Sequence, residues 1–286
     1  MNSATITTVI MPFALGIIML GLGLSLTVDD FKRVALYPKA VFIGLCCQML
    51  LLPAVCFLIA KLFALSPVMA VGLMLLAASP GGAMANLYSH LAKGDVALNV
   101  TLTAVNSLLT IFSIPIIVNL SLAYFMGSDQ YIPLQFKKVL EVFMIVLIPV
   151  GIGMILHNRF PALSKKMEKP VKIASAFILA LVIIAATLKE KQNMGAYFAQ
   201  VGFAALLFNI VSMSTGYFIS KWFKLPEKQS ISIAMEIGIH NGTLAIFIAL
   251  NALQNSAMAI PAAVYSLMMF FTAAAFGFLV NYRRSQ

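Results

Sequence analysis

The stretch Ala234–Ala245, AMEIGIHNGTLA, sets a carboxylate (Glu236), an imidazole (His240) and an amide (Asn241) between the apolar runs SISI and IFIALN. Nothing on either side invites water. Of the nine acidic residues, Asp29, Asp30, Asp95, Asp129, Glu141, Glu168, Glu190 and Glu227 fall at the ends of apolar segments or between them. Glu236 alone falls well inside one. A charged carboxylate at the centre of a membrane helix costs about 2.5–3.5 kcal/mol on insertion scales, so by default it marks function. Gly238 and Gly242 in the same stretch interrupt the helix. The stretch therefore predicts a broken membrane helix with an acid at its break.

The surrounding chain fits a membrane setting. Hydrophobic residues make up 62% of the 286 residues and charged residues 10%, against about 25% charged in soluble domains. A hydrocarbon core of about 30 Å takes roughly 20 apolar residues per helix, so the length accommodates about ten crossings and no large soluble domain. The net charge of +10 is spread over short loops, which suits anionic lipid and excludes a nucleic-acid surface. Cys46, Cys47 and Cys56 lie in one apolar segment without metal-ligand spacing or a disulfide framework, and act as small core residues. The amino terminus has no basic n-region and no small-residue cleavage site, so Ile6–Leu26 is expected as a retained first span.

Breaking the chain at charges and prolines predicts spans at 5–27, 38–60, 67–79, a broken segment 80–92, then 96–123, 134–156, 169–188, 196–221, a second broken segment 228–252, and 258–281. All are helical, because a lipid-exposed backbone must satisfy its own hydrogen bonds, and the alternation of a membrane barrel is absent. With the amino terminus inside, inside connections carry 12 Lys and Arg and outside ones 7, which places both termini in the cytoplasm. The chain also repeats itself: KLFALSP at Lys61–Pro67 returns as KWFKLP at Lys221–Pro226, each before a segment broken by glycines, SPGGAMAN and EIGIHNG. This predicts two five-helix repeats, 1–125 and 132–282, of opposite topology. Corresponding interrupted segments point to a transport site at the bilayer midplane.

Other polar side chains fall inside predicted spans: Gln48, Asn86 at the first break, and Asn99 with Thr103, four apart on one helical face. Singly, each suits an interhelical hydrogen bond; together they are oxygen donors of the kind a hard cation requires. Pro80, Gly81 and Gly82, with Gly238 and Gly242, supply breaks that expose carbonyls to a cation and amides to an anion.

SPGGAMANLYSHLAKGDVALNVTLT followed downstream by EIGIHNG resembles the bile acid:sodium symporter family, over nearly the whole chain. The resemblance implies ten helices in two inverted five-helix repeats, with broken fourth and ninth helices that cross. It implies a core domain (about 66–123 plus 196–281) and a panel domain (about 5–61 plus 134–188). Carried over by position, one sodium site falls on Asn86, Asn99, Thr103 and Glu236. A second falls on Gln48, Glu236, His240 and the carbonyls of Ile237 and Ile239. Asn241 corresponds to a substrate-facing residue, with Ala83, Gly242 and Thr243 beside it. Three departures stand out: Ala85 where the family has serine, His240 where it has glutamine, and LMMFFTA where bile-acid-binding members carry a His-Asn pair.

The expected function is a sodium-coupled secondary transporter importing a small organic anion, bile-acid-like or pantoate-like. It would be a multi-pass protein of a bacterial inner membrane, without enzymatic activity or cofactor, with Na+ as coupling ion and no required oligomer. Two readings stay open beside it. One is the same fold run on protons, since Glu236 and His240 both titrate; the other is an intramembrane enzyme with a metal on Glu236 and His240, although zinc wants a third protein ligand and neither HExxH nor GxSxG occurs.

Overall fold

The computed structural model describes residues 11–127, 134–167 and 194–283, with isolated helical positions between 170 and 184. Its principal elements are α1 (Met11–Gly23), α2 (Val28–Lys32), α3 (Pro38–Leu62), α4 (Pro67–Ala78), α5 (Ala83–Leu91), α6 (Val96–Met126), α7 (Phe136–Arg159), α8 (Met194–Trp222), α9 (Glu227–Gly238), α10 (Gly242–Asn251) and α11 (Ile260–Arg283). Among the described residues, five helices are long and apolar enough to cross a membrane: Pro38–Leu62, Val96–Met126, Leu140–Arg159, Gly195–Trp222 and Ala257–Tyr282. The chain is an all-helical polytopic membrane protein. The span expected at 169–188 lies outside the described residues apart from those isolated positions, as do residues 5–10 of the first span.

α4 and α5 have 12 and 9 residues, α9 and α10 have 12 and 10. At about 1.5 Å per residue, none of these arms crosses a core of about 30 Å, but each consecutive pair does. The segments expected as separate spans at 67–79 and 80–92 are thus each too short to cross alone. The interruptions, Ser79–Gly82 and Ile239–Asn241, lie against each other. Gly82 N–H donates to the Ile239 carbonyl at 2.8 Å, Asn241 N–H donates to the Pro80 carbonyl at 2.8 Å, and Gly81 and His240 form an antiparallel bridge. Each break supplies hydrogen bonds that lipid could not give the other.

The repeated turns fold alike. In KLFALSP, Ala64 adopts φ +47°, with Leu65 N–H on the Ala60 carbonyl at 3.0 Å; in KWFKLP, Lys224 adopts φ +57°, with Leu225 N–H on the Ser220 carbonyl at 2.9 Å. Both are left-handed helix caps that satisfy the last carbonyls of α3 and α8.

α1 packs chiefly against α7. The backbones touch at Gly23 and Gly153: a Cβ on Gly23 would overlap Val150, and one on Gly153 would overlap Leu20 and Gly23. α3 packs instead with α4, α6 and α8. Gly44 admits Leu102, Cys56 and Ala60 are fully buried, and Gln48 bonds the end of α4. Its packing thus differs from the panel position that the resemblance implies for residues up to 61.

α10 meets α11 where Gly242 faces Ser266, and a Cβ on Gly242 would overlap Ser266 Oγ. That hydroxyl is buried and has no hydrogen-bond partner among the described residues. Gly242→Ala is expected to cost about 1–3 kcal/mol by overpacking, read as a lower Tm of purified protein. Ser266→Ala should cost little, and adding it to Gly242→Ala should recover most of the loss. Additive losses in the double variant would show that this contact is not the cause.

Candidate functional site

α6 presents Asn99, Thr103 and Asn106 at i, i+4 and i+7, all fully buried on one face. That face meets the end of α9, where Glu236 is fully buried. Asn99 Nδ2 and Thr103 Oγ1 each donate to Glu236 Oε2 at 2.6 Å, and Asn106 Nδ2 donates to Oε1 at 3.2 Å. The Gly81 backbone adds a further hydrogen bond. Among the described residues no Lys or Arg pairs with this carboxylate. Polar donors, with no net charge, take the place of water around it.

The oxygens of the same amides are left over. Asn99 Oδ1 and Asn106 Oδ1, with Asn86 Oδ1 on α5 and Gln48 Oε1 on α3, are buried and accept no hydrogen bond among the described residues. An unpaired buried acceptor costs about 1–3 kcal/mol. A carboxylate, a hydroxyl and several amide oxygens form a donor set suited to a hard cation, whose binding would offset that cost.

Gln48 lies in the wide turn Cys47–Leu51 of α3, where Leu52 N–H bonds back five residues to the Cys47 carbonyl. Pro53 follows; it has no N–H for the ladder, and widening the preceding turn accommodates it. Gln48 Nε2 donates to the Ser79 carbonyl at 2.9 Å and the Ala77 carbonyl at 3.3 Å. His240 Nδ1 is 3.2 Å from the same Ser79 oxygen. A carbonyl only accepts, so Nδ1 carries the proton of this bond. The imidazole stacks on Phe208 (5.8 Å, 13°) and tilts against Tyr265 (5.4 Å), and its buried Nε2 has no partner among the described residues. His240 does not hydrogen-bond Glu236, because the helix ends at Gly238 between them and the i, i+4 relation is lost. In the second half an amide also clasps the break: Asn209 Nδ2 donates to the Gly238 carbonyl at 2.8 Å, Tyr265 O–H donates to the same oxygen at 2.8 Å, and Thr272 donates to Asn209 Oδ1.

At the start of α10, Asn241 Oδ1 caps the Leu244 amide at 3.0 Å, and Asn241 Nδ2 makes no hydrogen bond among the described residues. Gly242 and Thr243 form the first turn, and both are buried. Ala83 opens α5 on the other side of the crossing; its side chain lies outside the described residues.

Geometry thus groups Glu236 with Asn99 and Thr103, and Gln48 with His240 on the Ser79 carbonyl. The Ile239 carbonyl takes part in the crossing itself, and that of Ile237 belongs to the last turn of α9, which leaves carbonyls without helical partners. Asn86 contributes an unpaired oxygen but hydrogen-bonds neither group. Two polar residues were missed from sequence. Asn106 continues the Asn99–Thr103 stripe three residues on, a legible signal; Asn209, isolated in α8, gives none. Among the described residues there is no group of three or more His, Cys, Asp or Glu suited to holding a metal.

Broken helices that meet over a buried carboxylate, with buried oxygens left unpaired around it, have the architecture of a secondary transporter. A sequence profile of the sodium bile acid symporter family matches residues 12–196, and the chain belongs to that family. It is 28% identical over 256 residues to BASS2 of Oryza sativa subsp. japonica, a probable chloroplastic sodium/metabolite cotransporter, covering 89% of this chain and 60% of that protein. It is 28% identical over 254 residues to YocS of Bacillus subtilis, a sodium-dependent transporter, covering 88% and 77%. With the ileal sodium/bile acid cotransporter of Oryctolagus cuniculus the identity is 22% over 241 residues, covering 84% and 69%. Each of these relatives is described as a sodium-dependent transporter or a sodium cotransporter.

Gly81 touches Glu236 so closely that a Cβ there would overlap the carboxylate, whereas one on Gly82 would lie 3.2 Å from the His240 carbonyl oxygen. Gly81→Ala is therefore expected to displace Glu236 and raise the sodium concentration for half-maximal stabilisation by about tenfold, a loss of about 1.4 kcal/mol. Gly82→Ala should move it far less. Equal shifts, measured by thermal denaturation against sodium, would mean the carboxylate does not depend on Gly81.

Proposed function

We infer that the chain is a secondary active symporter that uses Na+ to import a small organic anion, bile-acid-like or pantoate-like, across a bacterial cytoplasmic membrane. The observation that carries this reading is the setting of Glu236: a fully buried carboxylate ringed by neutral donors, beside amide oxygens that accept nothing. One Na+ would bind Glu236, Asn99, Thr103 and Asn86. A second would bind Glu236, Gln48 and the carbonyls of Ile237 and Ile239. His240 falls beside this second ion, but sodium prefers oxygen to the free Nε2, and Nδ1 bonds the Ser79 carbonyl, so its part is to hold that end of the break. The substrate carboxylate would lie at the starts of α5 and α10, by Ala83, Asn241, Gly242 and Thr243, where free amides and helix dipoles favour negative charge. Two Na+ offset Glu236 and one carboxylate; the cycle then carries one net positive charge inward, worth about 2.3 kcal/mol per 100 mV.

An inverted repeat agrees with the antiparallel bridge between the breaks and with the matched arms and turns. Its units are α3 to α6 and α8 to α11, each with one broken helix. If 169–188 is also a span, treating α4–α5 as one crossing puts the chain ends on opposite faces. Keeping the carboxyl terminus inside then moves Lys32, Arg33 and Lys39 to the inner face and Lys61 to the outer, giving 14 basic residues inside against 5 outside. That is a stronger inside bias than two cytoplasmic termini give. The moving bodies we assign are α1 with α7, and the remaining helices with α3 among them.

The test is uptake into proteoliposomes, with pantoate and a bile acid as first probes after a stabilisation screen of organic anions with and without sodium. Wild-type uptake should fall to background when choline replaces sodium. Glu236→Ala should abolish sodium-driven uptake while leaving a folded protein; uptake that survives this substitution would sink the assignment. Uptake that persists in choline and follows a pH gradient would transfer coupling to protons.

Asn86 and Asn241 separate the two ligands. Asn86→Ala is expected to weaken sodium binding about tenfold with a smaller effect on the anion, and Asn241→Ala the reverse. Equilibrium binding of each ligand to both variants measures this, and identical losses would remove the division of roles.

A further inference from the structure

The polar stripe of α6 extends past the residues that the family resemblance implies. Asn106 is fully buried one turn beyond Thr103, donates Nδ2 to Glu236 Oε1 at 3.2 Å, and leaves Oδ1 buried without a partner among the described residues. Thr110, the next position on that face, spends its hydroxyl on the Ser107 carbonyl, so the stripe of free groups ends at Asn106. Asn99 and Thr103 hold the opposite carboxylate oxygen, Oε2, at 2.6 Å. The carboxylate is thus divided between its donors: Oε2 accepts from Asn99 and Thr103, Oε1 accepts from Asn106, and Gly81 at the crossing lies against both oxygens. An amide carries its donor and its acceptor on one carbon, so turning about Cβ–Cγ exchanges N–H for oxygen with the backbone unmoved.

We propose that Asn106 is a coordinating switch on the Oε1 side of Glu236. It donates to the carboxylate when no ion is present and turns Oδ1 onto Na+ when the ion near the crossing binds. Its 3.2 Å bond is longer than the 2.6 Å bonds of Asn99 and Thr103, which makes it the arm most easily released. This role rests on the sodium-coupled reading of the site, and gives that site an oxygen ligand from α6 that neither inferred ion set includes.

The experiment compares wild type, Asn106→Leu and Asn106→Asp by thermal stabilisation in sodium chloride against choline chloride at constant ionic strength, and by uptake. Asn106→Leu keeps the shape without the oxygen. It should raise half-saturating sodium about tenfold while leaving substrate half-saturation at saturating sodium within about twofold. Asn106→Asp keeps oxygens and loses the donor, so sodium stabilisation should persist, and Ca2+ should become a competitor as two carboxylates face one site. A purely structural anchor predicts otherwise: Leu would lower stability equally with and without sodium, and Asp, unable to donate to a carboxylate, would be worse than Leu. Either of those results overturns the proposal. Should Asn106→Leu not fold, the behaviour of Asn106→Asp in sodium and calcium decides alone. Wild type indifferent to sodium over choline would instead overturn the sodium reading itself, and the role of Asn106 with it.

Discussion

Two interrupted backbones in hydrocarbon must hydrogen-bond to each other, and the centre of this protein is arranged around that requirement. Gly82 with Ile239 and Asn241 with Pro80 satisfy amides and carbonyls that lipid would leave bare. The pairing fixes where α4 ends and α5 begins, and likewise α9 and α10. It also brings Gly81 against Glu236 and turns the starts of α5 and α10 toward the crossing. Without the crossing, four short helices of 9 to 12 residues would have no reason to stay at this depth.

A carboxylate at that depth has few ways to be tolerated. A lysine or arginine partner would neutralise it, but breaking such a buried pair to admit another cation is expensive. Here the compensation comes from Asn99, Thr103, Asn106 and a backbone amide, which supply polarity without net charge. Under the proposed role, this leaves the negative charge available to an incoming ion and keeps oxygen ligands within the groups that stabilise the site without it. Amides suit both tasks because each carries a donor and an acceptor.

The clasping amides give the two halves a shared construction with different chemistry. Gln48 holds the end of α4 and leaves its oxygen unpaired; Asn209 holds the end of α9, but its oxygen accepts from Thr272. One arm is therefore open to a ligand and the other is closed on the protein. On the open side, His240 shares the Ser79 carbonyl with Gln48, and its ring stacks on Phe208.

The membrane class, the helical state of the described spans, the two breaks and the burial of Glu236 were all legible in the sequence. Each follows from local composition: apolar runs long enough for a bilayer, glycines that stop a helix, and an acid where water is absent. The repeated KLFALSP and KWFKLP were legible too, because a left-handed cap followed by proline is a local structure with a local signature. Only the tertiary structure decided that the two breaks pair with each other, that α3 packs with α4, α6 and α8, that Asn106 completes the ring on Glu236, and that His240 turns to Ser79. Those outcomes depend on which faces of distant helices meet, and residues 106 and 236 are neighbours only because α6 packs on α9. Periodicity can place a side chain on a face, but the partner of that face is selected by packing, for which a single sequence carries no local signal.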